Sequence, residues 1–351
     1  MDSQSSLNFG SKSREHPCFI IAEAGVNHNG DRELALKLVD AAAAAGADAV
    51  KFQTFSAKKL VTTTASKAKY QKENTGSDES QYDMLKRLEL TEELHQELFD
   101  RCQQHNLIFL SSPFDQISAN FLNDLGVEAF KIPSGELVNL PYLKHVASMQ
   151  KPLIISTGMS QLSEVEAAVN VVESVENYNY VLLHCVSAYP TQPEDVNLRA
   201  MDTLKQAFDR PAGFSDHTMG QAVALAAVAR GAVVIEKHLT LDRNLQGPDH
   251  LCSLTPEEFA SLVTGIRDVE AALSGSGRKK PTPGELDTLK IVRRYIVAAI
   301  DIAEGDVITE KNITVLRSEG TLTPDMLPLV SGRKAVRSIA AFTPIDLDML
   351  R

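Results

Sequence analysis

The sequence predicts an α/β fold: a (β/α)8 TIM barrel followed by a small second domain. Three observations carry this reading. Short β-branched runs alternate strictly with helical periods, eight times over, between residues 18 and 273. Such alternation belongs to parallel strands joined by crossover helices. Each expected strand ends in hydroxyl, amide or charged residues, as it should where a barrel presents its active face. No Gly-x-Gly-x-x-Gly turn follows the first strand, which weighs against the rival doubly wound open sheet.

The elements follow in order. A strand over 18–24 leads to a helix over 31–45, started by Asn29-Gly30-Asp31 and stopped by Gly46. The second strand, 48–55, precedes a polar stretch at 56–90 whose conformation the pattern leaves open, a candidate lid. After a helix at 92–105 come strands at 107–111, 129–132, 152–156 and 180–186. Helices at 116–125, 140–148, 162–175 and 198–208 follow them in turn. Strands at 212–215 and 233–238 flank a helix at 219–230, and a helix at 256–273 closes the barrel, 17–273. Residues 274–290 are rich in Gly, Ser, Lys and Pro and read as a linker. Beyond it, 291–351 is short-run, β-prone and Gly-punctuated: a domain of about sixty residues, marginal alone and expected to dock on something. Residues 1–16 are polar and lack an apolar h-region, so they read as a flexible arm rather than a secretory signal.

Bulk properties narrow the function. A net charge of -11 argues against a nucleic-acid binder, which needs clustered Lys and Arg. No stretch approaches a membrane span. The four cysteines lie far apart with no CxxC pair, which fits a reducing, cytoplasmic setting.

The chemistry concentrates between Gly213 and Asp249. With a side-chain period of two, Ser215 and His217 share one strand face, as do Glu236 and His238. On adjacent parallel strands the two imidazoles would face each other, and neutral imidazole is the commonest metal ligand. Flanked by Ser215, Asp216, Glu236, Lys237 and Asp249, the pair reads as a divalent-metal site rather than two structural histidines. His28, His184 and His250 are rival ligands without that shared face. Elsewhere at the mouth, Lys51 and Lys131 would be costly to bury unpaired and point to an anion. Ser112, Ser134, Ser156, Ser187 and Ser215 would add hydroxyl donors for a phosphate or carboxylate. Any one serine reads more simply as a cap, and it is the convergence of five that favours the anion. Glu23 and Glu136 are candidates for proton handling, with ion pairs to the lysines as the equal alternative.

Several stretches carry a resemblance. Ile-Ile-Ala-Glu-Ala-Gly-Val-Asn-His-Asn-Gly at 20–30, Val-Lys-Phe-Gln-Thr at 50–54 and Lys-Ile-Pro-Ser-Gly-Glu at 131–136 resemble the sialic acid synthase family. So do Ile-Ser-Thr-Gly-Met at 155–159, Phe-Ser-Asp-His-Thr at 214–218 and Glu-Lys-His-Leu-Thr-Leu-Asp at 236–242. The C-terminal piece is similar to the family's antifreeze-like SAF domain, a β-clip fold. The resemblance implies condensation of phosphoenolpyruvate with an N-acyl-mannosamine-type sugar, giving a nine-carbon 2-keto acid and phosphate. It implies a divalent metal on His217 and His238, commonly manganese, with magnesium or cobalt possible. By position, Lys51, Ser112, Ser134, Ser187 and Ser215 would hold phosphoenolpyruvate, with Lys131 nearby and Ser156 at the same rim. Gln53, Tyr189 and Asp249 would contact the sugar, while Glu23 and Glu136 manage protons or the intermediate. Family members are domain-swapped homodimers in which an arginine of the antifreeze-like domain reaches the partner's sugar. The matching arginine here is Arg317, in Arg-Ser-Glu-Gly rather than Arg-Pro-Gly.

Free N-acetylmannosamine is the expected acceptor. The 2,4-diacetamido-trideoxy sugar of legionaminic acid synthases and the 6-phosphorylated sugar of the animal enzymes are alternatives. Two other function classes compete. An ice- or carbohydrate-binding protein fits poorly with a tail carrying Lys311, Arg317, Glu319, Arg333 and Lys334. A Schiff-base lyase or aldolase would use Lys51 or Lys131 covalently.

Overall fold

The computed structural model describes residues 18–75 and 79–351, so the expected arm at 1–16 lies outside the described residues. Its first half runs β1 (Phe19–Gly25), α1 (Arg32–Ala44), β2 (Ala49–Thr54), α2 (Ala57–Leu60), α3 (Lys69–Thr75) and α4 (Gln81–Arg87). There follow α5 (Glu92–Gln104), β3 (Ile108–Pro113), α6 (Gln116–Leu125), β4 (Phe130–Ile132), α7 (Leu140–Ala147) and β5 (Leu153–Ser156). Then come α8 (Leu162–Glu173), β6 (Tyr180–Cys185), α9 (Arg199–Phe208), β7 (Ala212–Asp216), α10 (Ala222–Ala229), β8 (Val234–His238) and α11 (Pro256–Leu273). The helix starts are chemically marked. Asp31 accepts from the Leu34 N–H at 2.9 Å, and Thr255 and Glu258 form a capping box with Pro256 inside the first turn.

All eight strands are parallel, in the order β3-β2-β1-β8-β7-β6-β5-β4. First and last strands are therefore hydrogen-bonded neighbours, which is what closes a sheet on itself. At the remaining seam β3 and β4 lie side by side without a ladder, so the ring is nearly closed. Side chains sort by period two. One face of the strands buries Phe52, Phe109, Phe130, Ile155, Leu182 and Phe214 together with helix residues such as Leu38, Leu98, Leu122 and Leu262. The other face fills the barrel with Ile21, Leu110, Ile154, Leu183 and Val234.

The 56–90 stretch is three short helices, α2 to α4. Met84, Leu85 and Leu88 pack with Val26, Phe55 and Ala57 into a satellite core. Gly30, at φ +77°, is required here: an added Cβ would lie 2.4 Å from the Arg87 carbonyl oxygen.

The chain divides into two compact units after Ser274. In the second, the stretch expected as linker ends in a helix, α12 (Leu286–Val292). An antiparallel pair, β9 (Arg294–Ala298) and β10 (Ile313–Arg317), and a single turn, α13 (Leu327–Val330), follow. Ile296, Ile302, Ile308, Leu322, Val330, Ile339 and Ile345 give this unit a core of its own. No helix among the described residues is long and apolar enough to cross a membrane.

Candidate active site

Two residues beyond the apolar interior, the inward face of every strand turns polar. Glu23, Lys51, Ser112, Lys131, Ser156, Cys185, Ser215 and Glu236 come one from each strand, and all eight are buried. Four of them are ionisable acids or lysines inside a barrel, where an unpaired charge is costly. They pair with one another. Lys51 Nζ lies 2.6 Å from Glu23 Oε2 and donates to Ser112 Oγ at 3.2 Å. Glu236 Oε1 accepts from Lys131 Nζ at 3.1 Å and from Ser215 Oγ at 3.1 Å, and stands 3.8 Å from Lys51 Nζ. Strand register dictates this: Glu23 lies opposite both Lys51 and His238, and Ser215 opposite Glu236.

The environment splits the two carboxyls. Burial pushes Glu23 up to about 7, with Lys51 opposing the rise and Glu236 adding to it. Burial acts on Glu236 too, yet Lys131 and Lys51 overcome it and hold that carboxyl at about 2. Lys131 is lowered, chiefly by burial. Glu23 can therefore exchange a proton near neutral pH while Glu236 stays ionised.

His217 and His238 stand over this layer with ring centroids 5.4 Å apart and planes at 61°. His217 Nδ1 donates to the Val186 carbonyl at 2.7 Å, which leaves Nε2 for another partner. His238 Nδ1 is buried without a hydrogen-bond partner, and burial holds that imidazole well below its ordinary value, hence neutral. A pair of imidazoles with an orphaned nitrogen and a fixed tautomer suits a divalent cation. No cluster of three or more His, Cys, Asp or Glu side chains suited to metal gathers among the described residues. The rival histidines are engaged structurally. His28 Nδ1 accepts from the Gly30 N–H, His184 Nε2 donates to the Val196 carbonyl, and His250 bonds Thr240 and Asn29.

A glycine lies against two of the expected serines. The Gly158 N–H donates to Ser134 Oγ at 3.0 Å, and a Cβ there would meet Ser187 Oγ at 2.5 Å and Ser134 Oγ at 2.8 Å. The missing side chain lets these two hydroxyls close on the backbone as a small cradle, and Ser156, two residues earlier, has a buried and unpartnered hydroxyl. On the other flank Tyr189 lies over His217, centroids 4.2 Å apart, and edge-on to His238. Gln53 Nε2 donates to Glu23 Oε1 at 3.4 Å. The Asp249 carboxyl is buried and pushed up by that burial to about 6.

Two expected residues stand apart. Glu136 is half-buried, accepts from Asn139 Nδ2 at 2.7 Å, and makes no bond to the lysine–glutamate layer. Arg317 ends β10, exposed, in the second unit.

A family model described as the NeuB family matches residues 38–279, and the SAF domain matches 293–351. The chain belongs to the NeuB family. It is 49% identical over 333 residues to the N,N'-diacetyllegionaminic acid synthase of Legionella pneumophila, covering 93% of each chain. The enzyme of the same name from Campylobacter jejuni is 51% identical over 300 residues, covering 85% of this chain and 90% of that one. The crystal structure of N-acetylneuraminic acid synthetase from Leptospira borgpetersenii superposes with a TM-score of 0.68 at 38% identity, over 78% of this chain and 90% of that one. The resemblance carried by the motifs is thus borne out, and this NeuB-family chain is an enzyme of the nonulosonate-synthase kind.

Sequence reasoning singled out most of the mouth but passed over three residues of this NeuB-family site. Glu236 appeared only as a neighbour of His238, although it bridges Lys131, Ser215 and Lys51. Cys185 figured only as one of four scattered cysteines, yet its Sγ lies 3.9 Å from His217 Nδ1 and 3.7 Å from Ser134 Oγ. Gly158 was seen only as part of a strand end. Counting two residues on from each apolar inward position would have found the first two.

Proposed function

We propose that the chain condenses phosphoenolpyruvate with an N-acylated mannosamine-type sugar, giving a nine-carbon 2-keto acid and phosphate. The observation that carries this is the buried polar layer holding Lys51 and Lys131 directly beneath the facing histidines. Lys51, Lys131, Ser112, Ser215 and Ser156 bind the phosphate and carboxylate of phosphoenolpyruvate, with Ser134, Ser187 and the Gly158 N–H closing the cradle. A divalent cation on His217 and His238, manganese first, with magnesium or cobalt as substitutes, would supply Lewis acidity toward the open-chain sugar aldehyde. Gln53, Tyr189 and Asp249 orient the sugar so that C3 of phosphoenolpyruvate meets the aldehyde carbon. Water adds to C2, Glu23 takes the proton, and the tetrahedral centre expels phosphate. Glu136, just beyond β4, accepts from Asn139 and stays the second candidate for handling a proton.

Among acceptors, the two relatives near half identity support the 2,4-diacetamido-trideoxy sugar over free N-acetylmannosamine, reversing the preference read from the motifs. Incubation with phosphoenolpyruvate and each of these sugars, plus N-acetylmannosamine 6-phosphate, reads this as released phosphate. Fastest release with the diacetamido sugar is expected, and release with none of the three overturns the reaction.

The active assembly is a homodimer in which a second copy's C-terminal unit covers the mouth and brings Arg317. Val138, Met159, Met219 and Leu251, all in loops that follow barrel strands, are exposed apolar side chains that such a cover would bury. Mixing Arg317→Ala chains with His217→Ala chains should restore some activity, and absence of rescue refutes the exchange. Four buried cysteines fit a reducing cytoplasm.

A further inference from the structure

The imidazole of His217 is restrained in three ways, and two of them lead to a residue outside the condensation centre. Its face lies under the Tyr189 ring, which the Tyr70 ring of α3 backs from the other side, with centroids 5.0 Å apart and planes at 28°. Both faces of the Tyr189 ring are thus covered. The edge of the imidazole is fixed through Nδ1, which donates to the Val186 carbonyl at 2.7 Å. Val186 begins the stretch 186–190, between the end of β6 and an isolated bridge at Thr191, where no helix or strand orders the backbone. Without a ladder, the direction of that carbonyl depends on side-chain bonds. The third restraint is on the backbone, where the His217 carbonyl accepts from the Thr191 N–H at 2.9 Å.

Thr191 also supplies the side-chain bond. It is buried, and its Oγ1 lies 2.7 Å from the Ala188 carbonyl oxygen and 3.3 Å from that of Val186. A hydroxyl has one proton to donate, so the two carbonyls share it. One residue thereby folds the 186–191 loop back on itself and ties it to the backbone of His217. The Val186 oxygen receives both the Thr191 hydroxyl and the His217 imidazole, so moving one disturbs the other. A rival partner for Nδ1 stands nearby, since Cys185 Sγ lies 3.9 Å away. A hydroxyl that merely closed a loop would need no acceptor in common with the imidazole. Here the shared acceptor is the one that decides which ring nitrogen carries the proton, and therefore which is left to ligate.

We propose that Thr191 is a positioning residue for the cation site: its hydroxyl aims the Val186 carbonyl so that His217 keeps its proton on Nδ1 and leaves Nε2 free to bind metal. The inference rests on reading His217 as a ligand of a divalent cation. The test uses the metal-stripped full-length protein, Thr191→Val, which keeps the shape and loses the hydroxyl, and Thr191→Ser, which keeps the hydroxyl. Manganese is titrated by electron paramagnetic resonance of the free ion, and far-UV circular dichroism confirms folding. Thr191→Val should weaken manganese binding about tenfold, the usual effect of losing a group that orients a ligating histidine. Thr191→Ser should bind within about twofold of the wild type. A loop staple with no other role would lower the unfolding temperature of Thr191→Val and leave its manganese Kd unchanged. That result overturns the proposal alone, as does an equal loss of affinity in Thr191→Ser. Nitrogen-15 imidazole spectra of the metal-free wild type, with His217 assigned by its absence from His217→Ala, serve even if Thr191→Val does not fold. A proton on Nδ1 is expected, and a proton on Nε2 overturns the proposal. Absence of manganese uptake by the wild type overturns the reading of His217 as a ligand and the proposal with it.

Discussion

Two buried ion pairs meet strand β8, one on each of its faces, and they differ in completeness. On the helix-facing side Lys237 Nζ donates to Asp216 Oδ2 at 2.8 Å and to the Thr218 carbonyl at 2.5 Å. The other oxygen of Asp216 accepts from the Thr218 N–H and hydroxyl, both at 2.8 Å. Every strong group there has a partner, and the loop carrying His217 is pinned by it. On the inward side Lys131 and Glu236 also pair, but Glu236 Oε2, Ser156 Oγ and His238 Nδ1 are buried without partners. A satisfied buried network is structural, whereas an unsatisfied one is waiting for a ligand. The contrast separates scaffold from site across one strand.

The contrast can be broken most sharply at the histidines. His217→Ala or His238→Ala should cost at least about a thousandfold in turnover, roughly 4 kcal/mol of barrier, with thermal unfolding little changed. Retained activity in either would dissolve the distinction. The opposite signature is expected on the outer face. Lys237→Met strands a buried carboxylate and should lower unfolding free energy by about 3–5 kcal/mol in denaturant titrations. Adding Asp216→Asn should recover part of that loss, and a stable Lys237→Met single variant would show the pair to be dispensable.

A third expectation concerns His28, buried with its Nδ1 on the Gly30 N–H and its Nε2 unpartnered. Burial holds His28 at about 4 against an ordinary 6.5. Since the unfolded chain takes up that proton first, stability from this group is full above pH 6.5 and is lost as pH falls toward 4. The loss amounts to roughly 3 kcal/mol. Unfolding midpoints measured between pH 7 and pH 4.5 should fall less steeply in His28→Gln than in the wild type. An identical slope would remove His28 as the cause. The smallest effect is expected at Gly158. Gly158→Ala should raise KM for phosphoenolpyruvate about tenfold by filling the cradle between Ser134 and Ser187, with the sugar KM unmoved.

Much of this was legible in the sequence, because parallel strands are short, apolar and end abruptly. The helix at 116–125 and the one starting at Pro256 were readable from their caps and period. So were His217 and His238, two residues on from Ser215 and Glu236. The 56–90 stretch was not. Its helix α4 draws its stability from Val26 and Phe55, distant from it in sequence, rather than from propensity. Nor was the bond from Lys131 on β4 to Glu236 on β8, since pairing across the barrel interior leaves no local signal. Tyr70 was invisible for the same reason: only the fold brings it to Tyr189.

Two facing imidazoles are proposed to hold one cation above a layer of buried lysines and glutamates. Manganese binding, titrated by electron paramagnetic resonance of the free ion, tests it most directly in the metal-stripped wild type and in His238→Ala. The account expects one ion per chain in the wild type, essentially none in His238→Ala, and phosphate release restored only where the ion binds. Equal manganese uptake by both proteins, or full phosphate release after exhaustive chelation, would contradict it.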